Sequence, residues 1–186
     1  MDGTNFDLTF AFITRFAAAC AKLAIRTMPG AAGRLAAIAC LSHATVGFAQ
    51  DDAKVRAGLE TWRSSGCADC HGPFADGNRD DDDYPQGANI RTTRLDGAGI
   101  KLTIGCGRPG TGMPAFDAGA YTARPCYGRP LGAKPDNLQP TPRALSLDEI
   151  DAVVAYLQAR IVGRGKVTRE ECLTYYEGKA DCDDFK

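Results

Sequence analysis

The chain has 186 residues, 44% of them hydrophobic and 24% charged, with a formal net charge of −1. That balance is globular, the near-neutral charge leaves no footprint for nucleic acid, and the length allows one domain plus a targeting segment. No run of about 20 uninterrupted apolar residues occurs, so no transmembrane helix is expected in the mature chain, and eight cysteines point to an oxidising compartment.

Residues 1–49 read as a signal or targeting segment. Met28 to Arg34 is a short basic stretch, Leu35 to Val46 is apolar, and Gly47-Phe48-Ala49 supplies small residues for cleavage before Gln50. Translation is expected to start at Met28. A buried N-terminal helix is a weaker reading of this segment, and a lipoprotein signal ending at Cys40 is weaker still, since only five residues separate Arg34 from Cys40.

From Gln50 the chain reads as helices joined by irregular segments. Asp51-Asp52 suits a helix start, and Val55, Leu59 and Trp62 recur on one face up to about Ser64. Gly66 ends that helix, and Cys67-Ala68-Asp69-Cys70-His71 follows. Residues 74–90 carry turn formers and the run Asp80-Asp81-Asp82-Asp83. That run reads as a solvated loop, ahead of a docking patch for a basic partner or a weak calcium site. Residues 98–105 form a short helix with Ile100 and Ile104 on one side. A Gly/Pro-rich loop carries Met113, and a long proline-punctuated connection spans 117–145. Ser146-Leu-Asp-Glu149 is a capping box opening the best helix, through about Val162. Thr168-Arg-Glu-Glu171 is a second capping box, ahead of Cys172, Tyr175 and Tyr176.

C-x-x-C-H is the attachment signature of a c-type haem. Cys67 and Cys70 supply thiols for thioether bonds to one haem, and His71 supplies the proximal imidazole. Pro73 is expected to offer its carbonyl to the imidazole Nδ1–H and so fix the ring. Past residue 49 the chain holds one histidine, His71, and one methionine, Met113. Two histidine ligands from one chain are therefore excluded, and the Met113 thioether is the expected sixth ligand of the iron. Such His/Met ligation raises the potential and fills both axial sites. A structural-zinc reading of Cys67, Cys70 and His71 leaves Met113 unexplained, and a thioredoxin-like one lacks its strands. Cys106, Cys126, Cys172 and Cys182 allow three pairings, of which the local ones, Cys106–Cys126 and Cys172–Cys182, are favoured.

These residues together resemble the class I cytochrome c family. The likeness covers roughly residues 50–163: Gly58 and Trp62 of the first helix, Cys67 to Pro73, the Gly112-Met113-Pro114-Ala115-Phe116 loop, and Ala155-Tyr156-Leu157 of the last long helix. It implies an all-α domain whose first and last helices cross around one covalently bound haem. Gly58 would permit the crossing, with Trp62 and Tyr156 beside it. The long 117–145 loop and a disulfide-stapled extension over 164–186 depart from a minimal member. The implied function is a periplasmic electron carrier, not an enzyme, working between a dehydrogenase and a downstream cytochrome or oxidase. A dedicated cytochrome subunit of a periplasmic dehydrogenase complex is the alternative, and a haem enzyme or gas sensor the third reading.

Overall fold

The computed structural model describes residues 51–79 and 82–185. The expected targeting segment and Asp80-Asp81 lie outside the described residues. Helix α1 covers residues 51–64. A turn at Ser65-Gly66, with Gly66 at φ 77°, leads into α2, Cys67–His71. A 3-10 turn follows at Ile90–Thr92. Helix α3 is Gly97–Cys106, capped by Asp96, whose carboxylate accepts from the Gly99 N–H at 2.8 Å. Helix α4 is Leu147–Arg160 and α5 is Arg169–Tyr175. Both open on the capping boxes read in the sequence: Ser146 with Glu149 and Thr168 with Glu171 exchange their reciprocal bonds. Among the described residues there is no strand, only isolated bridges at Asp117–Leu145 and Ala120–Arg124. The fold is all-α. No described helix is long and apolar enough to cross a membrane.

The core forms where α1, α3 and α4 meet. Trp62, Ile100, Ile104, Phe116, Leu145, Ile150, Val153, Leu157 and Ile161 make one apolar cluster. The apolar stripe of α4 is the largest single contribution to it. Ile150, Val153 and Leu157 of that stripe and Ile161 just past its end are at most 3% exposed. At roughly 1.5–3 kcal/mol for each large side chain removed from water, this stripe is the main favourable term of the domain.

Two further clusters organise the segments that carry no regular structure. Residues 117–145 enclose Cys106, Ala120, Tyr121, Cys126 and Leu138, so the loop has a small core of its own. Cys106 and Cys126 are joined as a disulfide, and the Asp117 carboxylate holds the Arg124 guanidinium through two hydrogen bonds. The Leu145 N–H donates to the Phe116 carbonyl at 2.7 Å, closing the loop at its base. The third cluster seats the tail: Cys172 and Cys182, also a disulfide, pack with Phe74. Both pairings are the local ones expected, and each contributes roughly 2–4 kcal/mol in the chain-entropy picture.

Arg91 ties this tail to the domain. It is 3% exposed. Its guanidinium donates to the carbonyls of Gly165 (2.6 Å), Lys166 (3.1 Å) and Phe74 (3.3 Å) and to both carboxylate oxygens of Glu171 (3.0 Å). A charge this deep is tolerated only when so fully bonded.

Helices α1 and α4 touch backbone to backbone at Gly58. A Cβ there would lie 2.0 Å from the Ala152 carbonyl oxygen and 2.7 Å from the Tyr156 Cβ. The two helices are therefore in close contact at this point, and any side chain at 58 must push them apart. Gly58→Ala should gain helix propensity yet lower stability by about 2–3 kcal/mol, because overpacking outweighs the propensity term. A thermal melt checks this; an unchanged or raised Tm would refute the close crossing.

Candidate functional site

Cys67, Cys70 and His71 lie on the single turn of α2, which is shorter than any helix that holds itself together in water. It is fixed from outside. The Gly87 N–H donates to the Cys70 carbonyl at 2.7 Å, and the Gly77 N–H to the His71 carbonyl at 2.8 Å. The His71 Nδ1–H donates to the carbonyl of Ala88 at 2.8 Å. This corrects the expected brace: the carbonyl that holds the imidazole belongs to Ala88, not Pro73. The chain turns away after Gly72, so Pro73 is carried toward the tail, where it lines a cavity. A segment returning at residues 85–90 takes its place.

The bond to Ala88 has a chemical consequence. A carbonyl accepts only, so Nδ1 must carry the proton and Nε2 keeps its lone pair. Burial pushes the His71 pKa below its ordinary value, with the Ala88 carbonyl acting against it. The ring is thus neutral near pH 7, oriented, and ready to donate electrons from Nε2. The Trp62 ring stands 6.0 Å from the imidazole and walls that side.

The two thiols of α2 are the only described cysteines outside disulfides. Desolvation first, and then Asp69, pushes the Cys67 thiol up to about 12 and raises Cys70 in the same direction. Both stay protonated at neutral pH. A dithiol redox catalyst needs a lowered thiol pKa, so the thioredoxin-like reading is disfavoured. Among the described residues no three His, Cys, Asp or Glu side chains converge as a metal-ion site. Asp82 of that run is exposed and pairs with Arg79.

Met113 sits in a loop held at both ends. The Arg108 N–H donates to the Met113 carbonyl at 3.0 Å, and the Met113 N–H to the Thr111 hydroxyl at 3.2 Å. Just beyond, the Phe116 and Asp117 N–H groups donate to the Ile104 and Gly105 carbonyls, both at 3.1 Å. The Cys106–Cys126 disulfide clamps the same helix end. Met113 packs, partly buried, against the cluster that also receives Cys67, Ala68 and Ile90 and that contains Trp62. Its neighbour Gly112 lies against Pro85, whose Cγ would be 2.6 Å from a Cβ at 112. The segment bracing His71 and the loop carrying Met113 therefore touch.

Of the sequence-predicted residues, Cys67 and Met113 pack against one apolar cluster whose Trp62 ring stands beside the His71 imidazole, with half-buried Cys70 on the same turn as His71; Pro73 instead lines the cavity near the tail. Ala88 and Gly87 were not read from the sequence, since a backbone carbonyl leaves no residue signature. Among the described residues two buried side-chain donors lack a hydrogen-bond partner, Trp62 Nε1 and the Tyr121 hydroxyl. The first adjoins the imidazole, which leaves room in the hydrogen-bond accounting for a group the polypeptide does not supply. The donor set fits a covalent haem: two unpaired thiols, a tautomer-fixed imidazole and one thioether. Comparison with known proteins returns no matching family model, no matching curated protein and no matching solved structure.

Gly87 is a sharp test of the brace. A Cβ there would come within 2.6 Å of His71 Nδ1 and 2.8 Å of the Cys70 carbonyl oxygen. Gly87→Ala should displace the imidazole and cost about 1–3 kcal/mol. The His71 ring nitrogens, followed by 15N NMR, should lose the wild-type Nδ1–H signal; retention of that signal and of Tm would refute the assignment.

Proposed function

We propose that this chain is a monohaem c-type cytochrome of the class I kind, an electron-transfer protein and not an enzyme. The observation that carries the reading is that Cys67 and Met113 pack against one apolar cluster whose Trp62 ring stands beside the His71 imidazole, while every described cysteine other than Cys67 and Cys70 is committed to a disulfide. Cys67 and Cys70 would hold one haem c through thioether bonds, and His71 Nε2 and the Met113 sulfur would take the two axial positions. When bound, the haem supplies the one-electron couple between ferric and ferrous iron. The polypeptide's share is to bind, orient and exclude. The Ala88 carbonyl holds the imidazole in one tautomer, the apolar cluster keeps water from the cofactor, and the disulfide-clamped loop keeps the thioether in place. With His71 and Met113 both ligating the iron, oxygen and substrate chemistry would be disfavoured.

The address belongs to the same reading. Haem attachment of this type takes place outside the bacterial cytoplasmic membrane, two disulfides are compatible with that side, and residues 1–49 have the composition of an export signal. We place the protein in the periplasm, taking electrons from a dehydrogenase and passing them to another cytochrome or an oxidase. One observation favours a variant of this reading, a dedicated subunit of a periplasmic dehydrogenase complex. The tail has its own apolar cluster and disulfide and adds surface beyond what a haem requires.

Two experiments test the assignment. Expressed with a haem-attachment system, the wild type should give a covalent c-type haem spectrum, and the double variant Cys67→Ala, Cys70→Ala should give none; covalent haem in the double variant would refute attachment here. Met113→Ala should abolish the red charge-transfer band of thioether-bound ferric iron. It should also admit CO to the reduced protein and lower the midpoint potential on the order of 0.1 V, within the roughly 0.8 V that axial ligands span. An unchanged spectrum would refute Met113 as ligand.

A further inference from the structure

The tail and the segment after His71 enclose a cavity of about 320 Å³. Its apolar lining comes from Pro73, Phe74, Tyr176 and Phe185, and Asp76 and Asp181 also line it. Phe74 meets Phe185 at 5.2 Å and Tyr176 at 6.0 Å, both edge to face. Such an array stands rings at steep angles to one another, and ring faces attract cations.

The two carboxylates are held in position by donors of their own loops. Asp76 Oδ1 accepts from the Asn78 N–H at 3.1 Å, and its Oδ2 from Asn78 Nδ2 at 2.8 Å. Asp181 Oδ1 accepts from the Asp183 N–H at 3.0 Å. Neither forms an ion pair among the described residues, whereas nearby Asp183 and Glu177 do. Aromatic rings and two carboxylates with no ion pair among the described residues, all around one cavity, call for a cation with a flat apolar body. That description fits guanidinium better than ammonium, because it stacks on rings and bonds carboxylates through paired N–H groups.

We infer that this cavity is a docking socket for an arginine side chain of a partner protein. Its position gives the contact a use. Pro73 and Phe74 follow the haem-motif histidine by two and three residues, so an arginine seated here brings its protein against the motif segment. This use rests on the electron-transfer reading above; the binding of guanidinium does not. The socket also gives the C-terminal extension a role, since Tyr176, Asp181 and Phe185 all belong to it.

The test uses the full mature holoprotein at low ionic strength, titrated with N-acetyl-arginine methylamide and followed by NMR. Shifts should concentrate at Phe74, Tyr176, Ala180 and Phe185. The neutral isostere N-acetyl-norleucine methylamide should bind at least about tenfold more weakly. The paired substitutions Asp76→Asn and Asp181→Asn should weaken the arginine derivative by about tenfold, while Asp184→Asn, outside the lining, should leave it unchanged. Equal binding of the norleucine derivative would overturn the proposal, as would shifts spread over the surface or equal weakening by Asp184→Asn. The first two outcomes are read on the wild type, so they decide even if the paired variant melts early. The visible spectrum of the same sample reports covalent haem separately. Guanidinium binding without haem would sink the electron-transfer reading and leave the socket; haem without guanidinium binding would do the reverse.

Discussion

The hydrogen bond from His71 Nδ1 to the Ala88 carbonyl is the interaction on which the site depends. Helix α2 is one turn long and cannot orient a side chain by itself. An imidazole that is buried, neutral and free to rotate would be a poor ligand for anything. The carbonyl removes the rotation and chooses the tautomer in one contact, and Gly87 makes the contact possible by leaving room for it. Much of the segment between His71 and Ala88 then becomes a loop closed by that bond. Asp82 and Asp83 sit on this loop, at the surface, where their charges cost little.

Arg91 extends the constraint to the rest of the chain. It lies three residues beyond Ala88, in the 3-10 turn, and its guanidinium gathers Phe74, Gly165, Lys166 and Glu171. The segment leaving His71 and the segment leaving α4 are thereby bound to the same buried cation. The tail is not an appendage on a finished domain. Removing its partners would strand a charge inside, a penalty of several kcal/mol that no rearrangement of a short 3-10 turn can relieve. Stability and site geometry are coupled through this residue, although it touches neither thiol nor imidazole.

What the sequence made legible was local. The capping boxes at Ser146 and Thr168, the apolar stripe of α4, the turn at Gly66 and the two short-range disulfides all depend on residues within one or two turns or one loop. The thiols and His71 were legible from the spacing of the C-x-x-C-H motif, and Met113 because it is the one methionine past residue 49. Ala88 and Arg91 were not, for different reasons. An acceptor carbonyl is common to every residue, so nothing distinguishes position 88 until the chain is folded. Arg91 reads as an ordinary surface cation, and only contacts more than seventy residues away in sequence reveal it as buried. Pro73 was assigned the brace because proximity in sequence stood in for proximity in space. The 117–145 connection reads as featureless because its small core is built from one tyrosine, a disulfide and scattered alanines, a pattern with no period.

These distances along the chain also explain how the two halves of the site can differ in rigidity. The histidine side is held by a segment close in sequence, through hydrogen bonds to α2. The methionine side is held by a disulfide and by a loop whose own core excludes water. A thioether is a weak base and gains little from hydrogen bonding, so its placement must come from confinement, whereas an imidazole can be aimed by one acceptor. The chain applies to each ligand the kind of restraint its chemistry allows. On the proposed reading, His71 and Met113 would both be held before the group they ligate is bound, each by the restraint that suits it.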